Sequence, residues 1–278
     1  MLIVIFVTVA ASAQDNPSNI FRYKVGDAEV ILLSEGQGTG RSNIFIGATP
    51  EMIQKSMPEG TFPNSCNAFL VRLPSGKNIL IDAGRSSQPL LENLKSVNIL
   101  PEQIDVVLIT HTHGDHIGGL LKDGQAVFTN AELYLSKPEH DHGIANAGTR
   151  NVIDAYKAKL RLIEPKEIDA NPEELFAGIR AVAAYGHTQG HTLFLIESKN
   201  EKLLVWGDLT HAMAIQMPFP QVAMSFDTNT DAAIAARLKV LEYVAANKIT
   251  IAGIHNAFPG MGNLTKIENG GYMYTPVK

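Results

Sequence analysis

The stretch ITHTHGDHIGGL, Ile109 to Leu120, places His111, His113, Asp115 and His116 within six residues, directly after an apolar run. A hydrophobic core has no use for such a cluster. Each of these side chains presents a nitrogen or oxygen lone pair that is costly to bury unless something electropositive satisfies it, and a metal ion is the obvious partner. In a tight loop the H-x-H-x-D-H spacing sends side chains in alternating directions, so it can feed two ions. It is incomplete alone: a hydrolytic pair of ions needs about three protein ligands each, an open water position and usually a bridging carboxylate.

Three later segments offer the missing donors. GHTQGH presents His187 and His191 after a run ending at Tyr185, LLVWGD presents Asp208, and ITIAGIH presents His255. A lone histidine in any of these contexts reads as an ordinary core or surface residue. Taken with the first cluster, the joint pattern reads as a two-metal centre. Two divalent ions sharing a water lower its pKa from about 16 to about 7, which makes hydroxide available as the nucleophile, while one ion polarises the substrate oxygen. Asp115 is then placed to orient that hydroxide and pass its proton to the leaving group. Asp82, in ILIDAG, is expected to support a ligand by accepting an imidazole N–H. His140 and His142 in PEHDHG read as residues of a solvated loop. Met213 to Phe219 either line a substrate pocket or pack in the core.

The elements that must position these donors can be read from periodicity. Phe21 to Leu33 reads as a hairpin around Gly26-Asp27, and Asn67 to Leu73 with Asn78 to Asp82 as a second. The Gly-, Pro-, Ser- and Asn-rich residues 34 to 65 read as a long loop bordering a pocket. Ile104 to Thr110 should be a buried strand, with the histidine cluster on the loop at its carboxyl end, where open α/β sheets place ligands. Further strands are expected at Leu133 to Ser136, Ile179 to Tyr185, Leu193 to Ser198, Leu203 to Trp206 and Ile249 to Ile254. Helices are expected at Gln88 to Val97, Thr149 to Leu160 and Asp231 to Ala246, the last with Thr228 and Asp231 as a capping box. Two β-rich layers with helices outside, in one domain, is the economical arrangement.

Composition sets the outer limits. The 278 residues, 45% hydrophobic and 18% charged, can bury a sizeable core. A net charge of −5 argues against a nucleic-acid backbone as partner and favours a small-molecule substrate. Cys66 is the only cysteine, which rules out an intramolecular disulfide; in NSCNAFLV it should pack as a small hydrophobe at a strand start. MLIVIFVTVAASAQ has the apolar run and small-residue site of a signal peptide over residues 1–13, although it lacks a basic leading region. The expectation is an exported, periplasmic or secreted domain over residues 14–278 with no membrane span. Oligomeric state is not legible.

His111, His113, Asp115, His116, His191, Asp208 and His255, in this order, resemble the ligand pattern of the metallo-β-lactamase superfamily, from about Phe21 onward. The resemblance implies a four-layer αββα sandwich. It also implies His111, His113 and His191 on one ion and Asp115, His116 and His255 on the other, zinc being the expected metal, with Asp208 bridging. His187 then falls outside the ligand set. Asp208 argues against true β-lactamases, and His113 against the diiron flavoproteins, which carry Glu there. RNA-processing members share H-x-H-x-D-H, but the acidic balance argues against that activity. GDLTHAMAIQMPFP and IHNAFPGMG are similar to the methyl parathion hydrolase group and the acyl-homoserine lactonases. His211, where the best-known lactonases have Tyr, matches the former and could donate to a developing oxyanion. The expected activity is cleavage of a lactone or carboxylic ester, with a phosphotriester as the alternative.

Overall fold

A computed structural model describes residues 19–268 and 270–278; the expected signal peptide lies outside them. Two seven-stranded sheets dominate. In spatial order the first contains Ile20–Val25, Ala28–Arg41, Thr61–Arg72, Asn78–Ile81, Val106–Leu108, Glu132–Ser136 and Leu160–Ile163. The second contains Glu174–Phe176, Ile179–Ala183, Thr192–Ser198, Glu201–Val205, Thr250–Ala252, Met261–Lys266 and Tyr272–Pro276.

The central strands, such as Asn78–Ile81, Val106–Leu108, Thr192–Ser198 and Glu201–Val205, carry nearly unbroken apolar runs because both faces of each sheet are covered there. Alternate residues turn inward, so Phe69, Ile79, Ile81 and Leu108 of the first sheet meet Phe194, Ile196, Leu203 and Val205 of the second in one shared core. Their neighbours turn outward. Leu70, Leu80 and Val107 pack under the helices Ser87–Ser96 and Ala147–Tyr156, through Leu90, Leu94, Val152 and Tyr156. On the far side Leu193, Leu195 and Leu204 pack under Thr230–Asn247, through Val240, Leu241 and Val244. The result is the expected helix–sheet–sheet–helix sandwich. Among the described residues no helix is long and apolar enough to cross a membrane.

Three expectations need correction. Residues 34 to 65 are not one long loop: the strand from Ala28 runs to Arg41, Thr61–Arg72 returns beside it from Arg41↔Thr61 to Glu29↔Arg72, and Pro50–Ser56 between them is helical. Glycine and asparagine suggested turns, but ladder pairing across a long hairpin overrode local propensity, with a register shift between Ser34 and Gln37. Cys66 is buried as expected, yet in the middle of that strand. The last long helix is capped by Asn229, whose side chain accepts from the Ala232 N–H, and not by a Thr228–Asp231 box.

Candidate metal centre

Every expected donor, and the supporting Asp82, lies just beyond the carboxyl end of a strand: Asp82 after Asn78–Ile81, His111 to His116 after Val106–Leu108, His187 and His191 after Ile179–Ala183, Asp208 after Glu201–Val205, and His255 after Thr250–Ala252. The sandwich therefore gathers segments distant in sequence at one edge. Asp115 and His116 stand on a short helical turn, Gly114–Ile117.

The donors form two groups that meet at Asp208. In the first, His111 Nε2 lies 2.9 Å from His113 Nδ1, and His187 Nε2 lies 3.2 Å from both. Asp208 Oδ2 is 3.2 Å from His187 Nε2 and 3.7 Å from His111 Nε2. In the second, Asp208 Oδ1 is 3.2 Å from His116 Nε2 and 3.3 Å from His255 Nε2, and the Asp115 carboxylate is 3.8 Å and 3.6 Å from the same two nitrogens. Asp208 thus turns one oxygen to each group. Tetrahedral bonds of 2.0–2.1 Å to one ion imply donor separations of about 3.3 Å, so the first group fits a cation. The buried His116 Nε2 and Asp208 Oδ1 have no hydrogen-bond partner, which fits one at the second group as well.

Electrostatics agree. Burial alone would protonate Asp208, but His116, His255, His211 and His111 hold its carboxyl well below the usual range. Burial would likewise neutralise His116, yet the Asp208 and Asp82 carboxylates raise it well above an ordinary imidazole. His187 is pushed up to about 9 against its burial by Asp208 and Asp227. Burial lowers His111 and His113. His255 is likewise raised by Asp208 against its burial, so the site as a whole favours positive charge beside this carboxylate.

Of the two histidines of GHTQGH, the structure turns His187, and not the expected His191, toward the other donors. His187 faces the cluster, braced by Asp227 Oδ1 at 2.9 Å from its Nδ1. His191 has both ring nitrogens engaged by backbone: Nδ1 is 3.0 Å from the Ala184 carbonyl, and Nε2 accepts from the Asp208 N–H at 3.0 Å. That pairing fixes the proton on Nδ1, and burial lowers the pKa to about 3, so the ring is neutral. Gly207 makes the approach possible. Its φ is +53°, and a Cβ there would sit 2.5 Å from His191 Nε2.

Asp82 does what was expected of it: fully buried, it lies 2.8 Å from His116 Nδ1 and accepts from the Thr110 N–H and hydroxyl. His255 Nδ1 is held at 2.9 Å by the Ser65 carbonyl. His211 Nε2 lies 2.9 Å from Asp208 Oδ2, and its ring stacks on His255 at 4.8 Å. Burial depresses it to about 4, so its single proton is directed at Asp208. His140 and His142 lie outside both groups, on the helix Lys137–Gly143 instead of a loop, with His142 exposed.

Sequence reasoning missed Asp227 and Glu139, whose contexts SFDTNT and SKPEHDH look like a turn and a helix start. It also missed the walls of the cleft above the donors. This cleft, about 480 Å³, is bordered by Ile44, Phe62, Asn64, Arg85 and Phe226. Met213 to Phe219 do not line it: Ile215 and Phe219 pack with Met57 and Phe62, and Met213 and Met217 pack under the second sheet.

A family model for the metallo-beta-lactamase superfamily matches residues 61–246, and the chain belongs to that superfamily. Among solved structures it is similar to hydrolase AbOPH of the beta-lactamase superfamily, with 28% identity, TM-score 0.82, and coverage of 94% of this chain and 98% of that one. It is also similar to AidC, a dizinc quorum-quenching lactonase solved with a product, with 26% identity, TM-score 0.84, and coverage of 95% and 99%. Exodeoxyribonuclease WalJ of Streptococcus pneumoniae is 30% identical over 101 residues, 34% of this chain and 37% of that protein. The aligned stretches span only 19% to 37% of the first such curated relatives.

Proposed function

We propose that this protein is a metal-dependent hydrolase of lactones or carboxylic esters, working with two divalent ions, zinc first among them. The observation that carries this reading is the single Asp208 carboxylate turned to two donor groups beneath an open cleft. His111, His113 and His187 would hold one ion, and Asp115, His116 and His255 the other. Such a pair supplies a hydroxide nucleophile at neutral pH and polarises the electrophilic oxygen. The remaining work belongs to the chain. Ile44, Phe62 and Phe226 give the cleft an apolar wall suited to an acyl group, while Asn64 and Arg85 offer polar contacts. Asp115, with its side chain about a third exposed, is placed to take the proton from the attacking oxygen and return it to the leaving alkoxide.

The lactonase neighbour supports the substrate class. The exonuclease match favours a second reading, phosphodiester cleavage, and His211 keeps a phosphotriester in view. Metal-reconstituted protein should be assayed on lactones, aryl esters, an aryl phosphotriester, and single- and double-stranded DNA. Turnover of lactone or ester at least about 10²-fold above the others is expected. Preferential DNA cleavage would overturn the assignment. We propose further that the chain is exported, on the strength of residues 1–13; intact Met1 on protein isolated from its natural host would count against it.

A further inference from the structure

Glu139 is a fully buried acid that the proposed reaction does not use. It stands on the helix Lys137–Gly143, away from the cleft lining, and each of its oxygens accepts two hydrogen bonds from neutral donors. Oε1 takes the Thr112 N–H and hydroxyl, both at 2.8 Å. Oε2 takes the Thr188 hydroxyl at 2.6 Å and the Gly190 N–H at 3.0 Å. Thr112 lies between His111 and His113, and Thr188 directly follows His187. One carboxylate therefore ties together the two loops that carry the first donor group.

We propose that Glu139 is a positioning residue for the ion held by His111, His113 and His187, an inference that rests on reading that group as a metal centre. Burying a carboxylate is favourable only where every lone pair is used, and here the four donors use them. An apolar side chain would leave the Thr112 and Gly190 N–H groups unsatisfied, so bulk alone cannot substitute. Gly190 is fitted to the clamp as well, since a Cβ there would sit 2.1 Å from the Glu139 backbone nitrogen. The second donor group has its own supports, Asp82 and the Ser65 carbonyl, and touches none of the Glu139 donors. The clamp should therefore act on one ion of the pair.

Glu139→Gln keeps the shape but turns an amide N–H₂ toward groups that themselves donate. Metal content, chelator competition and melting of the metal-stripped protein should be measured for it and for the wild type. The variant should melt cooperatively, lose about 10- to 100-fold in affinity for one ion, the scale for removing a supporting contact, and hold the other within about threefold. Combined with His187→Ala it should lose no further metal affinity beyond the single His187→Ala change, because both act on the same ion. Should Glu139→Gln not fold, Thr188→Val removes one donor at little cost in shape and should weaken the same ion several-fold. Wild-type affinity for both ions in the folded variants, or equal weakening of both, would overturn the proposal. A wild-type chain that never takes up a second ion would sink the metal reading itself, and the clamp with it.

Discussion

The two donor groups share Asp208 but are held in different ways. On the side of His116 and His255, each ring has its own acceptor behind it: Asp82 at 2.8 Å and the Ser65 carbonyl at 2.9 Å. On the side of His111, His113 and His187, a carboxylate stands behind His187, His111 Nδ1 rests 3.2 Å from the Thr110 hydroxyl, and Glu139 holds the backbone of both loops. A direct acceptor fixes one ring's tautomer and rotation; a backbone brace fixes several rings at once. Loss of the Ser65 contact should therefore be confined to His255, loss of Asp82 should reach His111 as well through Thr110, and damage to the Glu139 brace should spread across both loops of the first side.

Asp208 belongs to both sides, so its loss should be the most severe. Asp208→Ala removes the one carboxylate that faces all the converging histidines and leaves buried imidazoles with no shared counter-charge. Metal content should fall toward zero and turnover by about 10³-fold or more, whereas the exposed His142→Ala should leave both near wild type. Elemental analysis alongside rate measurement checks this, and similar behaviour of the two variants would erase the distinction between ligand and bystander.

How much of this could be read in advance follows from what kind of information each feature carries. The strands around Val107, Leu204 and Ile251 were legible because an apolar β-branched run is a local signal, and the donors were legible because each follows such a run. The pairing of Ala28–Arg41 with Thr61–Arg72 was not, because glycine-rich strands carry turn-like local signals and their order depends on a distant partner. His187 and His191 are four residues apart in one loop, and spacing could not say which would face the cluster. In the structure Gly207 lets the Asp208 N–H reach His191 Nε2, so that His187 is the ring turned to the cluster. Glu139 was hidden for a similar reason. Its setting, Ser136 followed three residues later by an acid, looks like a helix cap, and Ser136 does accept from the Glu139 N–H, but the carboxylate turns inward to the loops.

His187→Ala should come next in severity. It deletes one donor from the first group and leaves Asp227, whose carboxyl is held low against its burial mainly by His187, without its partner. One ion should be retained and one lost, with turnover reduced by about 10²- to 10³-fold. Retention of both ions would show that the first group does not use this ring.

His211→Ala tests the border of the second group. If its proton is released from Asp208 to a developing oxyanion, kcat should fall by about 10²-fold with KM little changed and both ions present. Loss of an ion instead would identify it as part of the Asp208 and His255 donor set with which it already clusters. Unchanged kcat would leave it a packing residue stacked on His255.

Among the histidines gathered at the cluster, the smallest effect should come from His191→Ala, although the ligand pattern read from sequence would rank it among the largest. The ring contributes no free lone pair to the cluster: one nitrogen is tied to Ala184 and the other to the Asp208 backbone. Its removal leaves the Asp208 N–H without an acceptor and opens space behind a residue that two ions would share, so Asp208 should sit less firmly without being displaced. Both ions should remain, each bound several-fold more weakly, with turnover down by about tenfold, because a support one bond removed from the ligand has been lost. His187→Ala and His191→Ala, made in parallel and compared by metal content, give the sharpest contrast the loop allows. If the His191 variant were the one to lose an ion outright while the His187 variant kept two, the assignment of roles within GHTQGH would be reversed, and the arrangement around Gly207 would have to open when metal binds.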